Sequence, residues 1–571
     1  MRFSRFAQLL EELERVSGRY EKIHLIAPLL KEADEESLRI IPNLLLGRFF
    51  PAFDERETGI SSKTVLKALS NATGVPAVRL EDGWRERGDL GLVAEEHKSA
   101  QASLVASDPM VVEIHALIAR LADLEGSGSQ GERIARITGL LSNAKSSIKA
   151  LTRILIGDLR VGVGEGSIRD AILIAFAPPN DPSTIPRELS DRAQATLDIL
   201  NDLGELAVLI KAHPQDFDSR ASIRIGRPIK SMLAIRSEGL AHALEKSGLP
   251  VYGEPKYDGF RVQIHKRGDE VALFTRRLEN VTRQFPDVVS AVRDHVRGDV
   301  ILDSEVLGYE RSSKRLVPFQ DIGQRIRRKH DIEVLAQKLP VVVEVFDIIH
   351  VDGEDLLARP FEERRMILEK SIDVEPWVLE CSRAERFDDA ADAGSFYERC
   401  LADGYEGMMV KTPGGVYKPG SRVGQMIKVK PTLETVDVVV VGGEYGEGKR
   451  SEWIASFLVA VRSSDGFLEI GRVGSGLKEK DDQGISFSQV TAILEEHIIE
   501  TRGRSVRVEP VLVVEVASEE IQRSDAYGSG YALRFPRIIR VRDDRGVDEA
   551  TSLEEIEALY RMQRGREEPR S

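Results

Sequence analysis

Cysteine is scarce in this sequence, which contains Cys381 and Cys400 and no others among its 571 residues. Two cysteines without metal-ligand spacing exclude a disulfide framework and a zinc module built on four cysteines. A chain that does without disulfides fits a reducing compartment.

Long hydrophobic runs are also missing. No uninterrupted apolar stretch reaches the roughly 18 residues that are needed to span a bilayer. The first residues, MRFSRFAQLLEELERV, alternate charged and apolar side chains at helical spacing, where a signal peptide would have an apolar centre. We therefore expect a cytoplasmic protein that does not bind a membrane.

An excess of positive charge is absent as well, since 80 Lys and Arg residues against 94 Asp and Glu residues give a formal net charge of −14. Nucleic-acid binding cannot be predicted from such a total and would require local basic patches. The composition is otherwise that of a soluble globular protein. A chain of this length is expected to form two to four domains, at about 100–200 residues each.

The first part of the chain, residues 1–215, is predicted to be all-helical. Apolar residues recur at i, i+3, i+4 and i+7 in FAQLLEELERV, SSKTVLKALSNATG, VVEIHALIARLADLEG and RAQATLDILNDLGELAVLIKA. A polar, proline-containing connector beginning near residue 216 then marks a domain boundary.

Strand patterns dominate after this boundary. In residues 216–431 they alternate with helical segments: Phe260, Val262 and Ile264 alternate with polar residues, and VVVEVFDII is typical of a buried strand. From residue 432, short strands separated by glycine-rich turns, with one helix in SFSQVTAILEEHII, predict a small β-barrel. The last residues, RMQRGREEPRS, are predicted to be a solvated tail.

Two glycine-rich stretches invite a phosphate-binding interpretation. GEYGEGKR (443–450) nearly matches a P-loop, but Arg450 stands at the hydroxyl position and a strand-like segment follows where a helix is required. We interpret it as a glycine-rich hairpin.

The second stretch is RVGVGEGSIRDAILIAF (160–176), with Ser167 as the predicted N-cap of a helix. No strand–helix–strand unit surrounds it, which excludes a dinucleotide fingerprint. Free N–H groups at this helix start could receive a phosphate of a nucleic-acid backbone. A simple capped helix after a tight turn explains the stretch equally well.

Lys256, in GEPKYDGFRV (253–262), is the candidate nucleophile. Lysine is a poor nucleophile at neutral pH because its ordinary pKa is near 10.4, but burial or neighbouring cations can lower that pKa. By itself, a lysine at a strand edge is most often a solvated surface residue.

Further polar groups follow on apolar strands. They are Arg276 and Arg277 in FTRR, Asp303 and Glu305 in ILDSEVLGY, Phe346 in EVFDII, Glu406 and Lys411 in YEGMMVK, and Arg422, Lys428 and Lys430 in RVGQMIKVKP. Such groups cost free energy unless they face a cleft or are paired. Lys428 and Lys430 share one strand face and suit a triphosphate. Glu305 and Glu406 offer the oxygen ligands that Mg²⁺ prefers, although each alone is better explained by a surface ion pair.

As an ordered set, these segments resemble the ATP-dependent DNA ligases of archaeal and eukaryotic type, within the superfamily of covalent nucleotidyltransferases. KYDG is similar to the nucleotidyl-lysine motif, and FTRR, LDSEVLG, VFDII, YEGMMVK and MIKVK are similar to the motifs that follow it. ALRFPRIIRVRDD (532–544) resembles the sixth motif, and IPNLLLGRFFPAF and LRVGVGEGSI resemble parts of the helical DNA-binding domain.

The chain departs from the family pattern at two positions. Met426 stands where the fifth motif often has tryptophan, and Arg545 stands where the sixth often has lysine. The second difference preserves the charge but not the compact ammonium geometry, so the role of Arg545 is open.

The resemblance implies a multidomain fold. It consists of an all-α DNA-binding domain at residues 1–215, an α+β nucleotidyltransferase (adenylation) domain at 216–431 and a C-terminal β-barrel OB-fold domain with a tail at 432–571. The implied activity is the sealing of nicks between a 5′-phosphate and a 3′-hydroxyl in duplex DNA, in replication, repair and recombination. The implied substrate and cofactor are ATP and Mg²⁺, with Mn²⁺ as an alternative metal.

In the implied mechanism, Lys256 attacks the α-phosphate of ATP and pyrophosphate leaves. AMP then passes from the lysine to the 5′-phosphate of the nick, and the 3′-hydroxyl finally displaces it. Each step is a phosphoryl-type transfer, in which a protein helps mainly through positioning and charge neutralisation.

The resemblance also implies a role for each of the other site residues. Glu254 contacts adenine through its backbone, Phe346 stacks on the base, Arg261 and Glu305 meet the ribose, Arg276 and Arg422 bind near the nucleotide, Lys428 and Lys430 hold phosphate, and Glu305 and Glu406 hold the metal. Arg534, Arg537 and Arg540 of the sixth motif reach the triphosphate only if the barrel closes over the cleft.

The expected partner is nicked double-stranded DNA, with a sliding clamp as a further candidate, and the expected state is a monomer associated with the nucleoid through DNA. RNA ligases and RNA-capping guanylyltransferases are the nearest competing enzymes, and the long helical region argues against both. NAD⁺-dependent ligases are disfavoured by the lack of a four-cysteine module. A non-catalytic DNA clamp is the alternative from another class, and it predicts no need for Lys256.

Overall fold

Helices build the N-terminal part of the chain, and strands dominate the rest. The computed structural model describes residues 1–563 apart from residues 52, 55, 57, 99–107, 125, 127, 145–146, 180–183, 318, 327, 329–330, 432–434, 448–449, 465 and 480–484. Residues 564–571 of the predicted tail and residues 448–449 of the predicted hairpin turn therefore lie outside the described residues. The first three residues of that tail are not solvated chain, because Arg561 and Met562 end a helix and the buried Gln563 accepts a hydrogen bond from the Ile521 amide.

The N-terminal part folds as the helical periodicity predicts. Its helices are α1 (Phe3–Glu14), α2 (Arg19–Glu32), α3 (Glu35–Leu44), α4 (Ser62–Thr73), α5 (Ala77–Arg87), α6 (Leu90–Glu96), α7 (Val111–Ala122), α8 (Ser129–Asn143), α9 (Ile148–Ile156), α10 (Glu165–Phe176), α11 (Arg187–Leu200) and α12 (Leu203–Ala212). Phe6, Leu10 and Leu13 of α1 lie one turn apart and are buried in a core to which these helices contribute.

Side-chain caps explain several of these helix starts. The carboxylate of Asp34 accepts a hydrogen bond from the Ser37 amide at the start of α3, and the Ser61 hydroxyl accepts one from the Thr64 amide at the start of α4.

The continuous helical pattern over residues 192–212 is split in the structure. Asn201 ends α11 in the left-handed conformation, with φ of 50°, and the Asp202 carboxylate caps α12.

Strands and helices alternate in the central part. The elements are β1 (Leu233–Arg236), α13 (Leu240–Ser247), β2 (Val251–Pro255), β3 (Phe260–Arg267), β4 (Glu270–Thr275), α14 (Pro286–His295), β5 (Val300–Tyr309), β6 (Leu316–Val317), α15 (Phe319–Ile326), α16 (Ile332–Lys338), β7 (Val341–Val351), β8 (Glu354–Asp355), α17 (Phe361–Ser371), β9 (Leu379–Cys381), β10 (Glu385–Phe387), α18 (Ala390–Ala402), β11 (Met408–Lys411) and β12 (Arg422–Val429).

Two sheets organise these strands. A seven-stranded sheet has the order β4-β3-β5-β7-β8, with β6 added to β5 and β9 added to β7, and β9 pairs parallel to β7. Its core contains the apolar residues Val262, Ile264 and Leu302, together with Val343 and Val345 of β7. A five-stranded sheet has the order β1-β12-β11-β2-β10.

The C-terminal part is rich in strands. Its elements are β13 (Val436–Tyr445), β14 (Ile454–Ser463), β15 (Gly466–Val473), α19 (Phe487–Glu495), β16 (Ile498–Arg502), β17 (Ser505–Ala517), β18 (Glu520–Arg523), β19 (Tyr531–Arg534), β20 (Arg537–Val541) and α20 (Leu553–Met562). A six-stranded antiparallel sheet has the order β15-β14-β13-β17-β16, with β20 added to β17, and β18 pairs with β19.

The near-match to a P-loop lies in this sheet. β13 and β14 are antiparallel, with Tyr445 paired to Ile454, and the segment after the glycine-rich turn is a strand, as the hairpin interpretation requires. A P-loop needs a helix there, so that interpretation of GEYGEGKR is excluded. The helix predicted over 486–499 is shorter, because β16 begins at Ile498.

The chain folds into two compact units. The first comprises Met1–Ile235, Asp258–Arg383 and Lys411–Met426, and the second comprises Arg236–Tyr257, Ala384–Val410 and Ile427–Ser571. The domain boundaries at residues 215/216 and 431/432 stay predictions. No helix among the described residues is both long enough and apolar enough to cross a bilayer.

Candidate active site

Lys256 follows directly on β2 in the second unit. Its amide donates a hydrogen bond to the Gly407 carbonyl (2.9 Å), and its carbonyl accepts one from the Glu406 amide (2.8 Å). The next residue, Tyr257, packs edge-on against Tyr405, with ring centroids 5.5 Å apart. Lys256 is thus held by its own backbone against the segment just before β11.

Gly407 makes this close approach possible. It has a φ of 142°, which L side chains rarely adopt, and a Cβ added there would lie 2.1 Å from the Val429 carbonyl oxygen. Only glycine therefore fits between the Lys256 segment and β12 without displacing backbone. The glycine of YEGMMVK thus has a structural explanation.

The Lys256 ammonium is paired with a buried carboxylate. Its Nζ lies 2.5 Å from Oε2 of Glu406, and Nζ of Lys430 lies 3.0 Å from the same oxygen. Side-chain exposure is 20% for Lys256 but 6% for Glu406, so water screens this pair only weakly. The structure thus brings three predicted site residues together around one carboxylate oxygen.

Two residues without a predicted role join this group. Glu519, between β17 and β18, lies 3.4 Å from Lys430 Nζ through Oε2 and 3.2 Å from Arg236 Nη1 through Oε1. Burial lowers the pKa of Lys428; Glu519 raises it, but the charges of Lys430, Lys256 and Arg236 lower it further. We call Lys256, Lys428, Lys430, Arg236, Glu406 and Glu519 the lysine cluster.

In the first unit, the Arg261 guanidinium is held by the Asp303 carboxylate. Its Nε and Nη2 donate to the two oxygens of Asp303 at 2.8 and 2.5 Å, and its Nη1 donates to the Met232 carbonyl at 2.6 Å. The Tyr417 hydroxyl donates to Asp303 Oδ2 at 2.7 Å. Two parallel hydrogen bonds fix the guanidinium in direction as well as position.

Burial and charge set the ionisation of these groups. Burial alone lowers the pKa of Arg261, but the Asp303 charge and hydrogen bonds outweigh it, and the pKa lies above its ordinary value. Burial, followed by the Asp303 charge, raises the pKa of Tyr417 well above its ordinary value. Arg261 therefore stays charged and Tyr417 stays a hydroxyl donor.

Phe346, on β7 of the first unit, has two cations near its ring. The Arg261 guanidinium is 5.3 Å and the Lys411 ammonium is 5.0 Å from its ring centroid, and Lys411 also donates to the Phe346 carbonyl at 3.2 Å. The ring is half-buried, whereas its strand neighbours Val345 and Asp347 are buried. A half-buried aromatic ring is suited to stacking, and the nearby cations suit an anionic ligand.

The other predicted residues have simpler surroundings. Glu305 of β5 lies opposite Arg261 of β3 in the strand register and is partly exposed. Glu254 of β2 is buried. Arg276 follows the end of β4, and Arg422 begins β12; both are exposed. The geometry within each unit leaves the roles of Arg276 and Arg422 as predictions.

The described residues contain no group of three or more His, Cys, Asp or Glu side chains able to hold a metal ion. Mg²⁺ in phosphoryl transfer usually binds through one or two carboxylates and otherwise through substrate phosphates and water. Glu305 and Glu406 are carboxylates of the kind that can take part in such binding, and their role as metal ligands stays a prediction.

Two of the three arginines predicted to reach the triphosphate form ion pairs within their own unit. Arg534 pairs with Glu520 at 3.1 Å and Arg540 with Glu515 at 2.5 Å, while Arg537 is exposed. Arg545, whose role was open, has its Nη1 2.8 Å from Asp437 Oδ2, and Arg542 pairs with the same carboxylate at 2.9 Å. Arg545 thus contacts a carboxylate at the start of β13.

The glycine stretch of the helical region begins α10, but one turn earlier than predicted. The N-cap is Gly164, not Ser167, because Glu165 already has helical geometry and the Ile168 amide bonds to the Gly164 carbonyl at 3.2 Å. No side chain caps this helix start. Lys22 donates to the carbonyls of Val161 and Gly162 and so supports the preceding loop.

Comparison with known proteins agrees with this arrangement. Family profiles for the DNA ligase N terminus, the ATP dependent DNA ligase domain and the ATP dependent DNA ligase C terminal region match residues 2–173, 231–430 and 450–545. The chain is 42% identical over 573 residues to a DNA ligase of Nanoarchaeum equitans, with 99% of both chains covered. It is 38% identical over 569 residues to a DNA ligase of Archaeoglobus fulgidus, again with 99% of both covered.

The chain belongs to the ATP-dependent DNA ligases. A solved structure described as Pmar-Lig_Pre. matches with a TM-score of 0.52 and 17% identity, over 94% of this chain and 99% of that one, which supports the fold alone. The predicted fold class is confirmed: a helical N-terminal region, a central adenylation domain and a strand-rich C-terminal domain.

The ligase is an enzyme that seals nicks in DNA with ATP, through a lysine–AMP and a DNA-adenylate intermediate, so the prediction of its function is confirmed. The RNA ligase, RNA-capping and non-catalytic clamp alternatives fall away. Sequence reasoning assigned no role to Tyr417, Arg236 or Glu519. Nothing in the local pattern around these residues marks them, because their partners lie far away in the chain.

Proposed function

We propose that Lys256 is the residue that carries AMP in this ligase. The observation that carries the proposal is its ion pair with the buried Glu406, 2.5 Å away, beside Lys430. A flexible lysine side chain is thereby positioned within a group of cations that suits the phosphates of ATP.

Charge neutralisation is the work we assign to Lys428 and Lys430. When Lys256 Nζ attacks the α-phosphorus, a nitrogen–phosphorus bond forms, the bond to the leaving pyrophosphate breaks, and negative charge accumulates on the departing oxygens. Fixed cations stabilise that charge without reorganising at the moment of reaction. Burial and neighbouring cations lower the pKa of Lys428, so a bound anion would stabilise its charged form.

Glu406 is proposed to orient the nucleophile. Lys256 must lose a proton before its amine can attack, and Glu406 Oε2 is within hydrogen-bond distance of Nζ. The carboxylate is thus suited to hold the side chain and to accept that proton.

Nucleoside recognition is assigned to Arg261, Glu305, Phe346 and the backbone of Glu254. The half-buried ring of Phe346 is proposed to stack on adenine, and the fixed guanidinium of Arg261 is proposed to meet the ribose together with Glu305. Support comes from the Asp303 pair, which holds Arg261 in one direction. Arg276 and Arg422 are proposed to bind near the nucleotide by resemblance to the family.

The divalent metal is proposed to be Mg²⁺, with Mn²⁺ as the alternative, and Glu305 and Glu406 would hold it. Bound together with the substrate phosphates, the metal would neutralise part of their charge, and Lys256 would remain the nucleophile.

The proposed partner is nicked double-stranded DNA, bound by a cytoplasmic monomer. The start of α10, where no side chain caps the free amides, supports a phosphate contact. The scarcity of cysteine supports a reducing compartment. Recruitment by a sliding clamp is a proposal from the family resemblance.

Intact-mass spectrometry tests the assignment of Lys256. Wild-type protein incubated with ATP and Mg²⁺ is expected to gain one adenylate, which added pyrophosphate removes. Lys256→Arg is expected to gain none, because a guanidinium stays protonated, yet it should still seal a nick that already carries a 5′-adenylate. Lys246→Arg, an exposed lysine on α13, is the matched control and should behave as wild type. An adduct mapped to another lysine would refute the assignment.

A further inference from the structure

The carboxylate of Glu519 occupies cations that the reaction needs for phosphate. Glu519 belongs to the strand-rich C-terminal part, yet its two oxygens contact Arg236 at 3.2 Å and Lys430 at 3.4 Å. The three residues belong to the same compact unit, and Lys430 is one of the two lysines to which we assign the phosphates of ATP.

We propose that Glu519 is an internal competitor of the nucleotide's phosphates, and that Arg236 is a further phosphate-binding cation. Without nucleotide, Glu519 neutralises Arg236 and Lys430; the triphosphate displaces it and takes over both contacts. The inference rests on the proposed function, in which Lys430 holds phosphate.

The charge balance of the lysine cluster supports an exchange of anions. Four cations, Arg236, Lys256, Lys428 and Lys430, face two carboxylates, Glu406 and Glu519. Four cations with Glu406 alone would repel one another. Burial, and then the charges of Lys430, Lys256 and Arg236, already lower the pKa of Lys428 even with Glu519 present. A second carboxylate therefore stabilises the lysine cluster when no phosphate is bound, and it competes with a phosphate that binds.

Geometry identifies Glu519 as the carboxylate that leaves. Glu406 is the more buried of the two, and its contacts of 2.5 and 3.0 Å are shorter than those of Glu519. Arg236, one of the two partners of Glu519, is half exposed. Charge-assisted hydrogen bonds weaken with distance and with access to water, so an incoming anion displaces Glu519 first.

The exchange is linked to the sixth motif through the backbone. The Glu519 amide donates to the Arg534 carbonyl at 2.9 Å, at the end of the β18–β19 hairpin. The next residue, Glu520, holds the Arg534 side chain at 3.1 Å. A backbone movement that withdraws Glu519 therefore also shifts Arg534, one of the arginines expected to reach the triphosphate, whereas a rotamer change of Glu519 alone does not.

Steady-state measurement of nick sealing at varied ATP, with nicked DNA at saturation, tests the competition. Glu519→Gln keeps the shape of the side chain and removes its charge, so the KM for ATP should fall about threefold to tenfold, with the maximal rate nearly unchanged. Pyrophosphate should reverse adenylation at correspondingly lower concentrations. Glu500→Gln, an exposed carboxylate paired with Arg502, is the control and should not change either value.

A structural role for Glu519 predicts a different result. Loss of a supporting ion pair would lower the thermal stability and the amount of active enzyme, but it would not lower the KM for ATP. An unchanged or higher KM in Glu519→Gln overturns the inference.

Two further variants separate this inference from the function on which it rests. Lys430→Met should raise the KM for ATP; if the KM stays unchanged, the phosphate role of Lys430 is wrong and the competition falls with it. If Lys430→Met raises the KM and Glu519→Gln does not lower it, the competition alone is wrong. Arg236→Gln should raise the KM in the Glu519→Gln background, and no effect there would remove Arg236 from the phosphate site.

Discussion

The guanidinium of Arg261 and the carboxylate of Asp303 form a two-bonded ion pair on neighbouring strands, at 2.8 and 2.5 Å, with Asp303 fully buried. The pair connects Asp303, buried in the seven-stranded sheet, to Arg261, which we propose contacts the ribose. Tyr417 adds a third hydrogen bond to the carboxylate, so the pair is held from two sides.

Removing Asp303 should damage both stability and nucleotide binding. Asp303→Ala leaves the guanidinium without its partner, and the free energy of unfolding in urea should fall by about 3–5 kcal/mol. Asp303→Asn should retain more stability but raise the KM for ATP, because the direction of Arg261 is less well held. Tyr417→Phe, which removes one hydrogen bond, should cost about 1 kcal/mol. Equal stability and equal KM in Asp303→Asn would show that the pair positions nothing.

His265 should make the folded protein sensitive to acid. Burial, and secondarily the charge of His350, lowers its pKa from 6.5 to about 3. The Gly226 amide donates to Nδ1 at 3.0 Å and Nε2 lies 2.9 Å from Gln263 Oε1, which assigns a neutral ring protonated on Nε2.

Between pH 6.5 and 3, the unfolded chain binds a proton at this histidine and the folded chain does not, so stability falls as the pH falls, by about 1.4 kcal/mol per unit at most. Above pH 6.5 both forms are neutral and the contribution vanishes. His265→Gln should flatten the curve of unfolding free energy between pH 6.5 and 5, and His24→Gln, an exposed control, should not. Parallel curves for all three proteins would contradict the prediction.

Phe346→Ala should raise the ATP requirement and leave the sealing of pre-adenylated nicks nearly intact. Stacking of a base on an aromatic ring contributes about 1–3 kcal/mol, so the KM for ATP should rise about tenfold or more. Phe346→Tyr retains the ring and should restore most of the affinity. If Phe346→Ala lost stability while its KM stayed the same, the ring would serve only to pack β7.

The start of α10 should bind DNA and not nucleotide. A Cβ at Gly164 meets no atom within 4 Å, and its φ is −108°, so a larger residue there is tolerated by the fold. Gly164→Val should weaken binding of nicked DNA about tenfold or more, because it fills the space in front of the free amides. Self-adenylation should be unchanged. Gly139→Ala on α8, also in open space, is the control. Equal loss of both activities would indicate misfolding.

Much of the fold was readable from local patterns. Helical periodicity identified the all-helical region, and period-two alternation identified β3 and its apolar face, because a stretch that buries one face must repeat with the period of its own backbone. The same alternation predicted a polar face on the side of β3 opposite Phe260 and Val262. Helix ends were less predictable, as the break at Asn201 and the cap at Gly164 instead of Ser167 demonstrate.

The candidate site, like the fold, could be predicted from the sequence only in part. The order of short segments around KYDG was enough to name the family and to nominate Lys256, Glu406 and Lys430, since chemistry restricts which residue types can stand there. Only the tertiary structure decided their partners. Tyr417 and Asp303 are 114 residues apart, and Lys430 and Glu519 are 89 apart. Whether a carboxylate neutralises a given cation depends on distances of a few ångströms and on burial, and a linear sequence contains neither.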